Sequence, residues 1–223
     1  MKEEIRNAIL EFGADLCGFA AVGRFAEAPQ GFQPQDIFPD CQTVIVIAMA
    51  LPKGLLAVDS RIIYAHYNEI SCPIVDKIAF ETAQFLEKTY GQIAVPLPCD
   101  GPYEYWNNEK MEGRGLLSMK HAAVQAGLGA LGKNSLLLNK NYGNLLTVGA
   151  VLTDMKVESD PLAASICIQG CDLCIKNCPV QALDGVGANQ KSCRTKAYGK
   201  TERGFGTVDC NKCRTICPRR FGV

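Results

Sequence analysis

Cysteines crowd the C-terminal quarter of this 223-residue chain, and their spacing repeats. The runs Cys171-Asp-Leu-Cys174-Ile-Lys-Asn-Cys178-Pro179 and Cys210-Asn-Lys-Cys213-Arg-Thr-Ile-Cys217-Pro218 share the pattern Cys-x2-Cys-x3-Cys-Pro, and one more cysteine precedes each, Cys167 and Cys193. Eight thiolates thus fall into two sets of four. Soft thiolate ligands in this arrangement hold iron–sulfur clusters, so two 4Fe-4S clusters are expected. A Cys-x2-Cys loop lets two thiolates grip one face of a cluster, while the third cysteine, followed by proline, is carried away to ligate the other cluster. The expected sets are Cys167, Cys171 and Cys174 with Cys217, and Cys193, Cys210 and Cys213 with Cys178. Cys167 is the ligand least fixed by spacing, because three residues separate it from Cys171 where two are usual.

Two other chemistries use clustered cysteines. Structural zinc also takes Cys-x2-Cys but does not require the third Cys-Pro arm that both runs repeat. Disulfides need an oxidising compartment, and the N-terminal stretch is charged and amphipathic, with neither an apolar leader nor a twin-arginine signal. No apolar run of membrane-spanning length occurs, so a cytoplasmic protein with no membrane partner is expected. The formal net charge is zero, yet Lys191–Val223 holds nine Lys or Arg against Glu202 and Asp209. Cations beside two clusters offset the negative charge of the thiolates, a better account of the basic tail than nucleic acid, since no aromatic stacking pattern accompanies the tail.

The residues before the cysteine runs must position whatever the clusters serve. Residues 1–160 alternate between helical and extended patterns, with a boundary near Pro161. Glu3–Phe12 has helical apolar spacing and stops at Gly13. Leu16–Val22 and Thr43–Leu51 are β-rich, and the second is apolar almost throughout, as in a central strand covered on both faces. A helix is predicted from Pro73 to Tyr90, a strand over Gln92–Pro96, a helix over Leu116–Ala126, an extended segment over Ser135–Leu138 and a strand over Leu145–Thr153. Between Cys99 and Gly115 lies a polar, aromatic, glycine-rich stretch with the only tryptophan, Trp106, predicted to be a surface loop over a site. Cys17, Cys41, Cys72 and Cys99 form no motif and are expected to be small buried hydrophobes, with Cys99 set apart by the neighbouring Asp100 and aromatic loop.

Gly127-Leu-Gly129-Ala-Leu-Gly132-Lys133-Asn134 satisfies G-x-G-x-x-G and nearly the P-loop pattern. Both matches mislead, because in those motifs the glycine turn follows a strand and opens a helix. Here the helix comes first, so its negative C-terminal end faces the loop and disfavours phosphate. The glycines make either a helix C-cap or a loop whose backbone approaches a flat cofactor, with Lys133 and Asn134 in polar contact.

The order of His121-Ala-Ala-Val-Gln-Ala-Gly-Leu-Gly-Ala-Leu-Gly-Lys-Asn-Ser-Leu-Leu-Leu138, Val148-Gly-Ala-Val-Leu-Thr-Asp154 and two cysteine runs resembles the epoxyqueuosine reductases and their relatives, the reductive dehalogenases. Gly13-Ala-Asp-Leu-Cys-Gly-Phe-Ala20 and Phe38-Pro-Asp-Cys-Gln-Thr-Val-Ile-Val-Ile47 extend the likeness to nearly the whole chain. The resemblance implies an α+β fold: a nitroreductase-like, mixed-sheet cofactor-binding domain over residues 1–160, then a ferredoxin-like domain with two 4Fe-4S clusters over 161–223. It also implies cobalamin, reduced by the clusters, with Tyr67, His121, Gly127, Gly129, Gly132, Lys133 and Asn134 as cofactor contacts.

The implied activity is reduction of a small substrate, with electrons from a donor such as a ferredoxin or flavodoxin. Tyr103, Glu104 and Tyr105 are the catalytic candidates on the substrate side. In the family an acidic proton donor stands a few residues before the glycine-loop helix, and Gly113 occupies that place here; Asp100 and Glu112 are further substitutes. The alternatives are an electron-transfer or corrinoid-protein-reducing partner without its own substrate, and a reductase with FMN in place of cobalamin. The family continues past the second cluster into a helical tRNA-binding extension, whereas this sequence stops five residues after Pro218, so tRNA is not expected as a partner.

Overall fold

The computed structural model describes all of residues 1–223. Helix α1 (Lys2–Glu11) leads through Gly13, at φ +110°, into β1 (Leu16–Ala21). A short helix α2 (Pro34–Ile37), β2 (Thr43–Ala50), the long helix α3 (Arg61–Tyr90) and β3 (Ala94–Leu97) follow. A hairpin of β4 (Tyr105–Asn107) and β5 (Glu112–Arg114) precedes α4 (Met119–Gln125), a small ribbon of β6 (Ala130–Leu131) and β7 (Leu137–Leu138), and β8 (Leu146–Thr153). The cysteine-rich segment adds α5 (Leu173–Lys176), α6 (Gln190–Ala197), a ribbon of β9 (Tyr198–Lys200) and β10 (Gly206–Val208), and α7 (Lys212–Thr215).

One antiparallel sheet in the order β1-β2-β8-β3 organises the chain. Residues 44–48 of β2 are fully buried because alternate side chains enter different cores. Ile45 and Ile47 join Ile5, Ile9, Ile78 and Leu86 beneath α1 and α3, while Val44, Val46 and Ala48 join Ala122, Ala123 and Ala126 beneath α4. The predicted two-sided central strand is therefore β2. Two glycines permit the close layers: a Cβ on Gly18 would lie 2.3 Å from the Ala126 carbonyl oxygen, and one on Gly149 would lie 2.5 Å from Val75 Cγ1.

Two expectations need correction. The helix predicted to open at Pro73 begins at Arg61, capped by Ser60 Oγ, which accepts from the Ile63 amide, and Pro73 lies inside it. Proline removes one helical N–H but does not outweigh the sheet packing on either side of it. The expected loop at 99–115 contains the β4–β5 hairpin, paired Trp106 to Gly113. Strand alternation is hidden there because the hairpin buries almost no apolar surface.

Asp160 ties the end of the sheet domain to the chain entering the cysteine runs. Its carboxylate accepts from Lys2 Nζ at 2.7 Å, Arg6 Nη2 at 2.9 Å and the Phe19 amide at 2.9 Å. Burial by itself would raise its pKa, but Lys2, Arg6 and the Phe19 amide outweigh it and hold the carboxyl below the usual range. A depressed carboxylate stabilises the fold above its ordinary pKa and loses that contribution as pH falls through the folded value. Asp160→Asn is expected to cost about 2 kcal/mol at pH 7, roughly 4–8 °C in melting temperature, with the gap to the parent closing in acid. Melts of both proteins across pH check this.

Candidate functional site

The cysteines gather in two groups. The Cys174 thiol is raised by burial, and the nearby Cys167 and Cys217 raise it further; Cys217 in turn is raised by burial and by Cys167 and Cys171. Cys193 is raised by burial and then by Cys178 and Cys210. Cys213 is pushed up to about 11, by burial first, with Arg214 opposing and Cys193, Cys210 and Cys178 adding. Each group thus draws three cysteines from one run and its flank, and the fourth from the other run. Local structure makes this exchange: each Cys-x2-Cys loop winds into one turn of helix, α5 or α7, and these turns pack together.

Cys167, Cys171, Cys174 and Cys217 line a small pocket with Lys133, Asn134 and Arg219. Cys193, Cys210 and Cys213 instead line one side of a cavity of about 540 Å³. Its other walls come from α3 (Tyr64, Asn68, Cys72), the chain after β3 (Pro98 to Asp100), the entry to α4 (Leu116 to Lys120), the 135–137 segment and the start of β8. The cavity wall thus mixes apolar side chains with polar ones such as Asn68, Lys120 and Asn144, and the cysteine segment closes it.

Several polar atoms await partners. Arg214 Nη1 and Asn144 Oδ1 are buried without hydrogen bonds, and both residues line the large cavity. Arg219 Nε is likewise buried and unpaired, and Arg219 lines the small pocket. A buried donor or acceptor left unmade costs about 1–3 kcal/mol, so these three atoms mark where bound groups belong. Thiolate clusters offer sulfur acceptors to arginine, and a corrinoid rim of carboxamides both donates and accepts. The residues present fit both groups.

The predicted cofactor contacts lie outside the lining of the large cavity. Lys133 Nζ donates to the Cys171 carbonyl at 2.9 Å, and Asn134 Nδ2 to the Cys213 carbonyl at 3.1 Å, so both brace the cysteine loops and not the cavity. A Cβ on Gly127 would meet the Pro161 carbonyl oxygen at 2.2 Å, on Gly129 the Leu138 carbonyl oxygen at 2.4 Å, and on Gly132 the Asn134 side chain at 2.7 Å. These glycines serve close chain crossings. His121 faces outward, its Nδ1 2.7 Å from Ser118 Oγ, and Tyr67 is half exposed on α3. The cavity takes the neighbours of those residues: Tyr64 and Asn68 one side of α3 from Tyr67, Lys120 beside His121, and Ser135 to Leu137 just past the glycine loop.

Among the catalytic candidates Tyr103 lines the cavity, and so does Asp100. Glu104 is exposed, Tyr105 packs on Phe32 with ring centroids 5.0 Å apart, and Glu112 pairs with Arg114 at 2.8 Å. The Tyr103 ring lies against Gly113, where an added Cβ would meet it at 2.9–3.0 Å. Arg194 faces this aromatic mouth, 5.7 Å from the Tyr103 ring, 5.1 Å from Trp106 and 5.8 Å from Tyr198. Sequence reasoning missed Arg214, Asn144 and Lys120. Arg214 had a local signal, a cation directly following a ligand cysteine; the other two had none.

Cys72 and Cys99 also share the cavity wall, and their thiols interact. Cys17 and Cys41 are plain core residues, with burial pushing their thiols up to about 12 and about 11.

No protein-family model matches the chain. In sequence it is 24% identical to the epoxyqueuosine reductase of Staphylococcus aureus and 27% to that of Listeria monocytogenes, in each case over all of this chain and 65% of the relative. Identity rises to 39% with the Pseudomonas aeruginosa enzyme over 44% of this chain. The fold matches that of epoxyqueuosine reductase from Streptococcus thermophilus, with a TM-score of 0.70 at 20% identity over all of this chain and 67% of that one. It also matches a catabolic reductive dehalogenase in complex with 3-bromo-4-hydroxybenzoic acid, with a TM-score of 0.69 at 19% identity over 99% of this chain and 32% of that one. The structure is a mixed α+β fold, and none of its helices is long and apolar enough to cross a membrane. Over its whole length, and across about 65% of the length of those curated relatives, the chain is epoxyqueuosine reductase-like in sequence, and it shares its fold with the reductive dehalogenases.

Proposed function

We propose that the protein is an iron–sulfur reductase that holds a corrinoid in the 540 Å³ cavity and delivers electrons to it from two 4Fe-4S clusters. One observation supports this reading above all: Cys167, Cys171, Cys174 and Cys217 line a small pocket of their own, while Cys193, Cys210 and Cys213 stand in the wall of the large cavity. Cys167, Cys171, Cys174 and Cys217 would hold an outer cluster and Cys178, Cys193, Cys210 and Cys213 an inner one, and together they would supply single electrons to a group bound in the cavity. In this division residues 1–160 form a nitroreductase-like cofactor domain and 161–223 a ferredoxin-like domain.

When bound, reduced cobalt supplies a nucleophilic or electron-donating centre that amino-acid side chains lack. The residues of the chain hold, orient and protonate. Leu117, Leu137 and Val148 give an apolar bed, while Lys120, Asn144 and Arg214 offer polar contacts around it. Lys120 Nζ is itself fixed 2.6 Å from Ser135 Oγ, and burial lowers its pKa. Tyr103, at the mouth and turned toward Arg194 with its hydroxyl 3.4 Å from Nη2, is the proton donor on the substrate side. FMN draws no support from the comparisons.

The substrate is a small reducible group. The structurally similar epoxyqueuosine reductase solved with an epoxyqueuosine-modified tRNA stem loop makes that stem loop the first substrate to try, with the free nucleoside beside it. Anaerobic reconstitution with iron and sulfide tests the foundation. About eight iron and eight sulfide per chain, with a broad band near 400 nm, are expected. Zinc bound in place of iron at full occupancy would overturn the assignment.

A further inference from the structure

Helix α6 has an unusual position: it carries Cys193 at its centre, yet buries only Ala197. Eight residues of helix without an apolar face do not hold themselves in water. Besides the Asn189 cap, which accepts from the Ser192 amide, and its joint with β9, this helix is held by polar contacts of its own side chains, and a ligated Cys193 would add a further anchor. The β4–β5 hairpin has the same weakness, since Tyr105, Trp106 and Asn107 are all exposed and two strands alone are marginal.

These two marginal elements are tied to each other. The Gln190 side chain makes both hydrogen bonds of a strand partner to Gly113: its Oε1 accepts from the Gly113 amide at 3.1 Å and its Nε2 donates to the Gly113 carbonyl at 3.2 Å. Lys191 Nζ donates to the Glu109 carbonyl at 2.8 Å, across the hairpin turn. Arg194 Nη2 bonds Gln190 Oε1 at 3.3 Å and Tyr103 Oη at 3.4 Å, and its guanidinium lies over the Trp106 ring. Tyr103 stacks on Trp106, with centroids 6.1 Å apart. On its far side the hairpin has Phe32 against Tyr105 and Arg114.

We infer that α6 couples the inner cluster to the substrate side of the cavity: ligation of Cys193 fixes α6, and Gln190 on that helix fixes the hairpin that places Tyr103. Gln190 is a positioning residue, acting through the backbone of Gly113. The inference rests on Cys193 as a cluster ligand, and it extends that assignment to the order of the hairpin. A protein with an empty inner cluster site is therefore expected to have a looser hairpin.

Trp106 is the only tryptophan and reports on the hairpin without any substrate or corrinoid. In cluster-loaded protein, Gln190→Met keeps the helix and the side-chain length but removes both hydrogen bonds. Amide exchange at Gly113 is expected to speed up about tenfold, with Trp106 more open to acrylamide quenching, at unchanged iron content. Gln190→Glu keeps the acceptor for the Gly113 amide and is expected to fall between the two. Chelating the iron from the unsubstituted protein is expected to open Trp106 as far as Gln190→Met does. Exchange and quenching unchanged by Gln190→Met in iron-replete protein, or quenching unchanged by chelation, would overturn the coupling. If Gln190→Met sheds iron, the chelation arm and Gln190→Glu decide. Failure of iron to bind to the unsubstituted protein would instead strike the cluster assignment itself.

Discussion

Cys217→Ala is expected to destroy the cluster whose other three ligands are Cys167, Cys171 and Cys174, although Cys217 belongs to the second run. Iron should fall from about eight to about four per chain, with the inner cluster retained. The crossing is decided by a second substitution. If Cys217 shares a cluster with Cys167, adding Cys167→Ala removes no further iron, because both changes act on one unit. If each run closes on itself, the double variant loses both clusters. Cys178→Ala is the mirror experiment, and it takes away the cluster that faces the cavity while leaving the outer one.

Tyr103→Phe is expected to lower turnover about 10²-fold with iron and corrinoid content unchanged, the usual scale for removing a general acid. An epoxyqueuosine-bearing tRNA stem loop and the free nucleoside are the substrates to assay. A companion substitution tests why tyrosine is there. The family places an acid where this chain has Gly113, and Tyr103 covers that glycine so closely that any Cβ meets its ring at 2.9–3.0 Å. Gly113→Asp alone should therefore destabilise the protein by about 1–3 kcal/mol through overpacking. Combined with Tyr103→Ala the clash is gone and the penalty should vanish. Additive losses would show that the two positions do not exchange roles.

The grouping of the cysteines was legible because covalent spacing carries the information: a Cys-x2-Cys-x3-Cys-Pro run constrains its geometry within nine residues. The central strand was legible too, since β2 is apolar on both faces and no loop of this chain is. The start of α3 was not, because Pro73 signals a boundary and only tertiary packing overrides it. The cavity wall was the least legible part. Motif reasoning settled on His121 and the glycine loop, whereas the cavity is lined by the adjacent Lys120 and Ser135 to Leu137. A one-residue step on a helix turns a side chain by about 100°, so a motif can point to a segment without fixing which of its faces lines the cavity. Asn144 and Arg214 meet across more than sixty residues of sequence, and no local pattern announces such a pair.

The arginines of the basic tail illustrate the same point. Arg194 is engaged with aromatic rings, Arg214 lies in the cavity wall over Tyr64, and Arg220 packs on Phe221. These three cations of the tail are thus engaged with aromatic side chains of the protein itself.

The central claim is that the cavity beside Cys193, Cys210 and Cys213 holds a corrinoid. The direct measurement is anaerobic gel filtration of cluster-loaded protein incubated with cobalamin, read by absorption. About one corrinoid per chain should co-elute with a spectrum shifted from that of the free cofactor, and Leu137→Trp, which fills the apolar bed, should abolish retention without loss of iron. Elution of iron-replete protein free of corrinoid, or retention untouched by Leu137→Trp, would contradict it.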